Sequence, residues 1–530
     1  MTRRLAALAV LAWTGGAVAA LPPLPAPSEF ERELLGARFT LKAVRVEGAA
    51  SLPPGAVEAV TRVYIGQAVG TGELREIAAR LSQLYADRGY ATSGVVFRSS
   101  SPALGEAEYL AVEGPVSQVR FRTPPRHASP AWLTRQLVPD ADAPARLDEI
   151  QERMAALRDA GVVDRMNASL EPLPGTGRSE LVVGVEEPRP WSVTVDYDNH
   201  HSPVVGARRP SVALAHRNVT GWGDRFDLRV GRTDGLEDAS ASWSGIVPRT
   251  QVLAGVRFER SDALAIDPPA FRSLDITTVS ETRGGELGWQ FATRASRTVQ
   301  ARIAFDRRSS ETTLLGLPFS FIAGLPDGRA GADVWRASFL ATQRGEVDVA
   351  FVRVQASRGR VTTELLEAPE APHARFTSWF LQGQYARRLG EGGAQALVRI
   401  EGQYTRDRLL PIEKYGLGGH GTVRGYRENL VLRDRGALAS VEVRAPLWRA
   451  GDWLRLEGAV FADAAWSDGA GALPDALPSR LSSAGISLIA AGPWGLSARV
   501  DVAQPSRRWL TDDADLQDRG AHFRLSWTVP

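Results

Sequence analysis

The 530-residue chain contains no cysteine, so disulfide staples and thiolate chemistry are excluded. It has almost no excess of either charge: 63 basic against 61 acidic residues give a formal net charge of +2. No bulk field is present to gather nucleic acid. Past the first twenty positions there is no run of eighteen apolar residues, which argues against helical membrane spans. The Gly-x-x-x-x-Gly-Lys-Ser/Thr and His-Glu-x-x-His patterns are missing. No nucleophile–base constellation stands out. The reading therefore assigns no catalytic residue, no cofactor and no metal, and expects a chain that is not an enzyme. His200-His201 offers imidazoles without supporting carboxylate spacing and reads as an exposed turn. What the chain does have is 51 glycines and 14 tryptophans, a composition suited to β-structure with close backbone approaches and interfacial aromatics.

At the N-terminus, Arg3 and Arg4 precede the apolar stretch Leu5–Val18, and small residues follow at Ala19-Ala20. This predicts an export signal over residues 1–20, cut after Ala20. Residues 21–38 form a short segment in which Ser28–Leu35 has room for about two helical turns.

Residues 39–114 read as strand, two helices and two strands. Leu74, Ile77, Ala78, Leu81, Leu84 and Tyr85 recur at helical spacing within Thr71–Arg88, and Gly89 stands where a helix-ending glycine belongs. The same order returns over 115–188, with Leu147, Ile150, Met154 and Leu157 in register on its longer helix. An internal repeat of about 75 residues follows. Its order resembles the POTRA domain, a periplasmic α+β module whose sheet edge can accept an extended chain as an extra strand.

From Trp191 the period changes to two. Trp191, Val193, Val195 and Tyr197 alternate with Ser192, Thr194, Asp196 and Asp198, and Phe523, Leu525, Trp527 and Val529 alternate with Arg524, Ser526 and Thr528. The polar face carries many charges and no helical segment intervenes. That pattern suits a transmembrane β-barrel over 189–530, with lipid outside and a wet, charged lumen. About 16 antiparallel strands fit, joined alternately by short and long connections, as in outer-membrane barrels with tight periplasmic turns. The long connections include 262–283, 309–331, 359–373, 408–435 and 468–480. Strand parity and the alternation of turns place the 408–435 loop outside, between the eleventh and twelfth strands.

That loop contains Gly416-Leu417-Gly418-Gly419-His420-Gly421, which fits Gly-x-Gly-x-x-Gly. It lies between alternating strands rather than at the start of a helix, so it is not read as a nucleotide site. It continues as Thr422-Val423-Arg424-Gly425-Tyr426. On the thirteenth strand Phe461 and Asp463 share the luminal parity, against Val460, Ala462 and Trp466. On the twelfth, Glu442 and Arg444 point the same way. A loop folded inward would bring Arg424 to these carboxylates as a guanidinium–carboxylate fork. The residues alone leave an ordinary exposed glycine-rich loop equally open.

Val423-Arg424-Gly425-Tyr426, with Phe461-x-Asp463, resembles the loop and strand signatures of the BamA/TpsB superfamily of POTRA-barrel outer-membrane proteins. Gly89-Tyr90-Ala91-Thr92-Ser93 and Asn218-Val219-Thr220-Gly221-Trp222-Gly223-Asp224 resemble the two-partner secretion branch, the FhaC/ShlB-like TpsB transporters. The resemblance implies an outer-membrane translocase that secretes, and in some members activates, a TpsA-like partner exoprotein. The modules would lie in the periplasm and bind the cargo unfolded. The barrel would be a monomeric pore in outer-membrane lipid, with no nucleic-acid partner. Val423, Arg424, Gly425, Tyr426, Phe461 and Asp463 would form a loop lock, supported by Glu442 and Arg444. Many members carry an N-terminal plug helix. With only 21–38 ahead of the first module, the expectation is that closure rests more heavily on the Arg424 loop. The alternative within the superfamily is an assembly factor of the BamA or TamA kind; a passive porin and a nucleotide-dependent enzyme are the others.

Overall fold

The computed structural model describes residues 38–247, 250, 252–294, 296–451, 453–470, 477–508 and 514–529. The expected signal at 1–20 and nearly all of the 21–38 segment lie outside these residues.

The first module is a three-stranded sheet under two helices. Strand Ala43–Glu47 runs parallel to Glu106–Val112, which pairs antiparallel with Gly94–Ser101. Helices Ala56–Thr61 and Thr71–Ala86 connect them. The helical stripe read from the sequence is buried: Leu74, Ile77, Leu81 and Tyr85 pack with Leu41, Val69, Val95, Tyr109 and Ala111. Phe39–Thr40 is a separate two-residue strand paired with Ala68–Val69, because the chain bends where Leu41 enters the core. The one opening strand expected from the sequence is thus broken in two. The second module repeats the order: Val116–Phe121, helices Pro130–Leu137 and Leu147–Asp159, then Arg165–Leu173 and Arg178–Glu186. Its first strand is parallel to its last, and the remaining pair is antiparallel. Among the described residues no helix is long and apolar enough to cross a membrane.

From Trp191 onward, sixteen long antiparallel strands among the described residues close into a barrel. The first is Trp191–Asp198, the fifth Val252–Leu264, the sixth Thr277–Arg294, the seventh Arg297–Leu314 and the eighth Arg329–Arg344. The eleventh to sixteenth are Ala394–Thr405, Arg435–Ala450, Leu454–Asp468, Arg480–Ala491, Leu496–Pro505 and Ala521–Val529. The two faces of the wall differ sharply. On the thirteenth strand Val460 is 58% exposed, whereas Phe461 is 5% and Asp463 2%. The outward face carries the apolar residues and the inward face the charges, the alternation that membrane-spanning barrels show.

Two loops are shorter than their sequence suggests. The fifth strand continues to Leu264 and the sixth starts at Thr277, against an expected loop of 262–283. The seventh likewise runs to Leu314 and the eighth starts at Arg329, against 309–331. These strand ends turn polar on their outward face. Arg260 shares the outward parity of Val256 and Phe258, yet forms an ion pair with its cross-strand neighbour Glu281 at 2.7 Å. Beyond the apolar belt the outward apolar row that marks a strand is gone.

The seam joins the first and sixteenth strands, with Val193 opposite Val529 and Asp198 opposite Arg524. Side chains reinforce this short ladder. Arg524 Nη2 donates to Asp196 at 2.8 Å, and the Thr194 and Thr528 hydroxyls bond at 3.1 Å. Asn199 bridges the end: its Nδ2 donates to Ala521 O at 3.0 Å, and its Oδ1 accepts from Phe523 N at 2.7 Å.

In the first module, the Tyr85 hydroxyl donates to Glu113 at 2.9 Å, and Glu113 also accepts from Ser51 N at 2.6 Å. Burial, followed by the Glu113 contact, pushes ionisation of Tyr85 above its ordinary value. The native module therefore holds the phenol protonated. Its contribution to stability is complete below the ordinary pKa of about 10 and falls away as the pH rises through the elevated native value. Tyr85→Phe is expected to cost about 1 kcal/mol at neutral pH. It should also flatten part of the alkaline loss of module stability, measured by denaturant unfolding across a pH series.

Candidate functional site

The loop joining Thr405 to Arg435 does not project away from the barrel. A two-stranded ribbon, Tyr415–Leu417 paired with Val431–Arg433, carries its tip. Gly418 and Gly419 turn the tip at φ 102° and 101°, a region that favours glycine. A Cβ on Gly418 would also stand 2.5 Å from Arg427 O. Val423 and Tyr426 are buried with Leu438, Ala465 and Leu481, whose side chains come from the inner faces of the twelfth, thirteenth and fourteenth strands. Apolar packing thus seats the loop tip within the lumen.

Seated there, Arg424 reaches Asp463 as a fork. Nε donates to Oδ2 and Nη2 to Oδ1, each at 2.8 Å. Nη1 donates to Glu442 at 2.5 Å, and Nη2 also reaches Ser440 Oγ at 3.3 Å. The Arg424 backbone N–H donates to the same Asp463 Oδ2 at 3.1 Å. One guanidinium face lies over Phe461, with Cζ 3.4 Å from the ring centroid. The side chains of Arg424, Glu442 and Asp463 are 6%, 7% and 0% exposed. An arginine with its edge on carboxylates and its face on an aromatic ring is held in one plane. Desolvation makes removal of one partner far costlier than breaking a surface pair, about 3–5 kcal/mol.

Neighbouring contacts extend the site. Gly425 N donates to His522 Nε2 at 3.1 Å, and the Tyr426 hydroxyl donates to Ser482 O at 3.1 Å. Arg427 binds Asp518 through Nε at 2.5 Å and Asp267 through Nη1 at 2.6 Å. Glu442 is held from the other side by Arg444, and by Arg499 at 2.9 Å. Among the described residues no group of three His, Cys, Asp or Glu side chains is placed to hold a metal ion.

A family model for the haemolysin secretion/activation proteins ShlB/FhaC/HecB matches residues 177–488, more than half of the chain. The chain belongs to this family. A model of the ShlB-type POTRA domain matches residues 39–108. The outer membrane transporter CdiB of Dickeya dadantii is 22% identical over 452 residues, 80% of this chain and 75% of its own. The heme/hemopexin transporter protein HuxB of Haemophilus influenzae is 20% identical over 420 residues, 77% of this chain and 73% of its own. Among solved structures, CdiB from Escherichia coli superposes with a TM-score of 0.71 at 17% identity, covering 96% of this chain and 93% of that one. BamA from Haemophilus ducreyi lacking POTRA domains 1-3 gives 0.54 at 15% identity, over 93% and 100%. Members of the ShlB/FhaC/HecB family are outer-membrane transporters of partner exoproteins, and their POTRA domains lie in the periplasm.

Within this ShlB-type barrel, the residues singled out from the sequence come together. Arg424, Phe461, Asp463 and Glu442 are in direct contact. Val423 and Tyr426 form the packing that seats the loop, and Gly425 faces His522. Arg444 bears on the fork through Glu442, with which it pairs. The sequence reading missed Ser440, Arg499, His522 and Asp501, which pairs with Arg499 at 2.8 Å. Their luminal parity was readable, since Arg499 and Asp501 alternate with Val500 and Val502. His200 needs correction. It is half-buried rather than an exposed turn, and its ring stacks on His420 at 3.9 Å between centroids and 6° between planes.

Gly425 offers a test of the seating. It adopts φ 88°, and a Cβ there would meet the Ala503 Cβ at 2.8 Å. Gly425→Ala is expected to weaken loop docking by at least about 1–2 kcal/mol from the backbone alone. The measurement is limited proteolysis of the assembled barrel, with faster cleavage at the loop and an intact wall as the expected result.

Proposed function

We propose that this protein secretes one partner exoprotein across the outer membrane and that Arg424 and Asp463 hold the luminal loop in the transport-competent position. The observation behind the loop's role is the buried fork between Arg424 and Asp463, with Phe461 stacked beneath it. The fork joins a loop tip to the wall and presents no reactive group to a substrate. It suits positioning of a movable element rather than chemistry.

The modules would take up cargo on the periplasmic side as an extended chain. Each small sheet has edge strands, such as Gly94–Ser101 in the first module and Arg165–Leu173 in the second. Their backbone groups suit strand addition to an unfolded segment. The barrel would act as a monomer in outer-membrane lipid, and folding of the cargo outside would supply direction without a nucleotide. The likeness to BamA supports a second reading, an assembly factor for other barrels. Deletion separates the two: loss of one surface or secreted protein favours secretion, whereas broad depletion of outer-membrane proteins favours assembly.

Arg424→Ala leaves Asp463 buried with only Ser440 and the Arg424 backbone N–H as remaining donors, while Glu442 keeps Arg444 and Arg499. The strand ladders do not depend on this fork. Arg424→Ala and Asp463→Ala are therefore both expected to assemble normal barrels, seen as heat-modifiable gel mobility. Both should reduce partner secretion by roughly tenfold or more, given a docking loss of a few kcal/mol. Normal secretion by both variants would sink the positioning role.

A further inference from the structure

The loop touches the wall at a second place, well away from Arg424. On its way down from Thr405 it forms a short turn, Pro411–Glu413, whose last residue is buried. Glu413 lies against the seventh and eighth strands. Arg308 Nη1 donates to Glu413 Oε1 at 2.8 Å and to Ile412 O at 2.5 Å. Arg336 Nη2 donates to both carboxylate oxygens, at 2.8 and 3.0 Å. Arg336 Nε also donates to Asp306 at 2.8 Å, and Arg257 of the fifth strand closes the far side of Asp306. The sequence Arg257, Asp306, Arg336, Glu413, Arg308 alternates in charge from wall to loop and back to wall.

This is a built seat rather than a passing contact. The Glu413 and Asp306 side chains are 4% and 1% exposed. Beside them Leu409 and Leu410 are fully buried among Ala332, Val334, Val361 and Phe376. The segment therefore has an apolar side that fits a recess in the wall and a carboxylate that ends in two guanidinium groups. A carboxylate this dry, paired this way, is costly to pull out, because it leaves buried arginine charges uncompensated.

The seat also has a position that the Arg424 fork lacks. Arg424 binds the twelfth and thirteenth strands, next to where the loop rejoins the wall. Glu413 binds the seventh and eighth, several strands round the barrel from there. A loop tied at both places is a strut across the lumen. Released at Glu413 alone, its tip would still be tethered at Arg424 and Arg427, while the arm that carries Glu413 could swing towards the twelfth strand. We infer that Glu413 is a second anchor, a positioning residue that keeps the pore closed at rest, and that its release from Arg308 and Arg336 opens the lumen while Arg424 stays docked. The inference rests on the reading of this barrel as a protein-conducting pore.

The test is planar-bilayer conductance of the purified full-length protein, with partner secretion followed in parallel. Glu413→Gln removes the charge and keeps the shape. The expected result is a roughly tenfold or greater rise in resting open probability, because losing the ion pairs shifts a closed–open equilibrium. Barrel mobility and partner secretion should stay at or above the parental level, unlike Arg424→Ala. Arg308→Gln should raise conductance less, since Arg336 still holds Glu413. The double variant should be no more open than Glu413→Gln, because both changes break one cluster. An assembled Glu413→Gln barrel as closed as the parent would overturn the inference. If Glu413→Gln fails to assemble, Arg308→Gln decides, as its partly exposed side chain is the milder loss; unchanged conductance there overturns it equally. A parent that secretes no partner, yet whose conductance responds to Glu413→Gln, would refute the secretion reading and leave the anchor standing.

Discussion

Closure of the wall is the constraint on which the rest depends. Strands inside a membrane must pair every backbone N–H and C=O, and a barrel achieves this only when its last strand meets its first. Closure creates an inside, and alternation then sends every second side chain into it. A lumen of this kind has no lipid to exclude charge and limited water to solvate it. Its arginines and carboxylates therefore have to find one another. Asp196 with Arg524, Asp306 with Arg257 and Arg336, and Asp463 with Arg424 are local solutions to that one problem. The loop enters this environment on the same terms, contributing Glu413, Arg424 and Arg427 where the wall supplies an opposite charge or a neighbouring loop does.

Much of this was legible in the amino-acid order, because a period of two is robust. Parity alone placed Asp463, Glu442 and Arg444 on the luminal face, and it needed no knowledge of strand ends. The helical stripe from Leu74 to Tyr85 was equally readable, since it serves a single compact core. The outer strand ends were harder to see. There the outward face turns polar, as at Arg260 and Glu281, and the signal that identifies a strand disappears before the strand does.

The loop's contacts were the least legible, and the reason is topological. Glu413 meets Arg308 across 105 residues and Arg336 across 77. Nothing periodic connects a turn with two strands that far back in the chain. Arg424 was recognisable only because a family motif ties it to Phe461 and Asp463. His200 shows the same limit from the other direction. Alternation stops at Asp198, and a pattern that has stopped is silent about whether the next residues turn outward or fold back over His420.

The seam carries a consequence for how the molecule comes into being. The hydroxyl pair Thr194–Thr528 joins positions 334 residues apart, and the Asn199 bridge to Phe523 spans 324. Loop-closure entropy makes such contacts the last to be rewarded. Until Ala521–Val529 reaches Trp191–Asp198, both strands are open edges, and the luminal charges line an open cleft rather than an enclosed pore. The wall therefore gains its final stability in one late step, and a chain cut short before Ala521 would be left as an unsealed sheet.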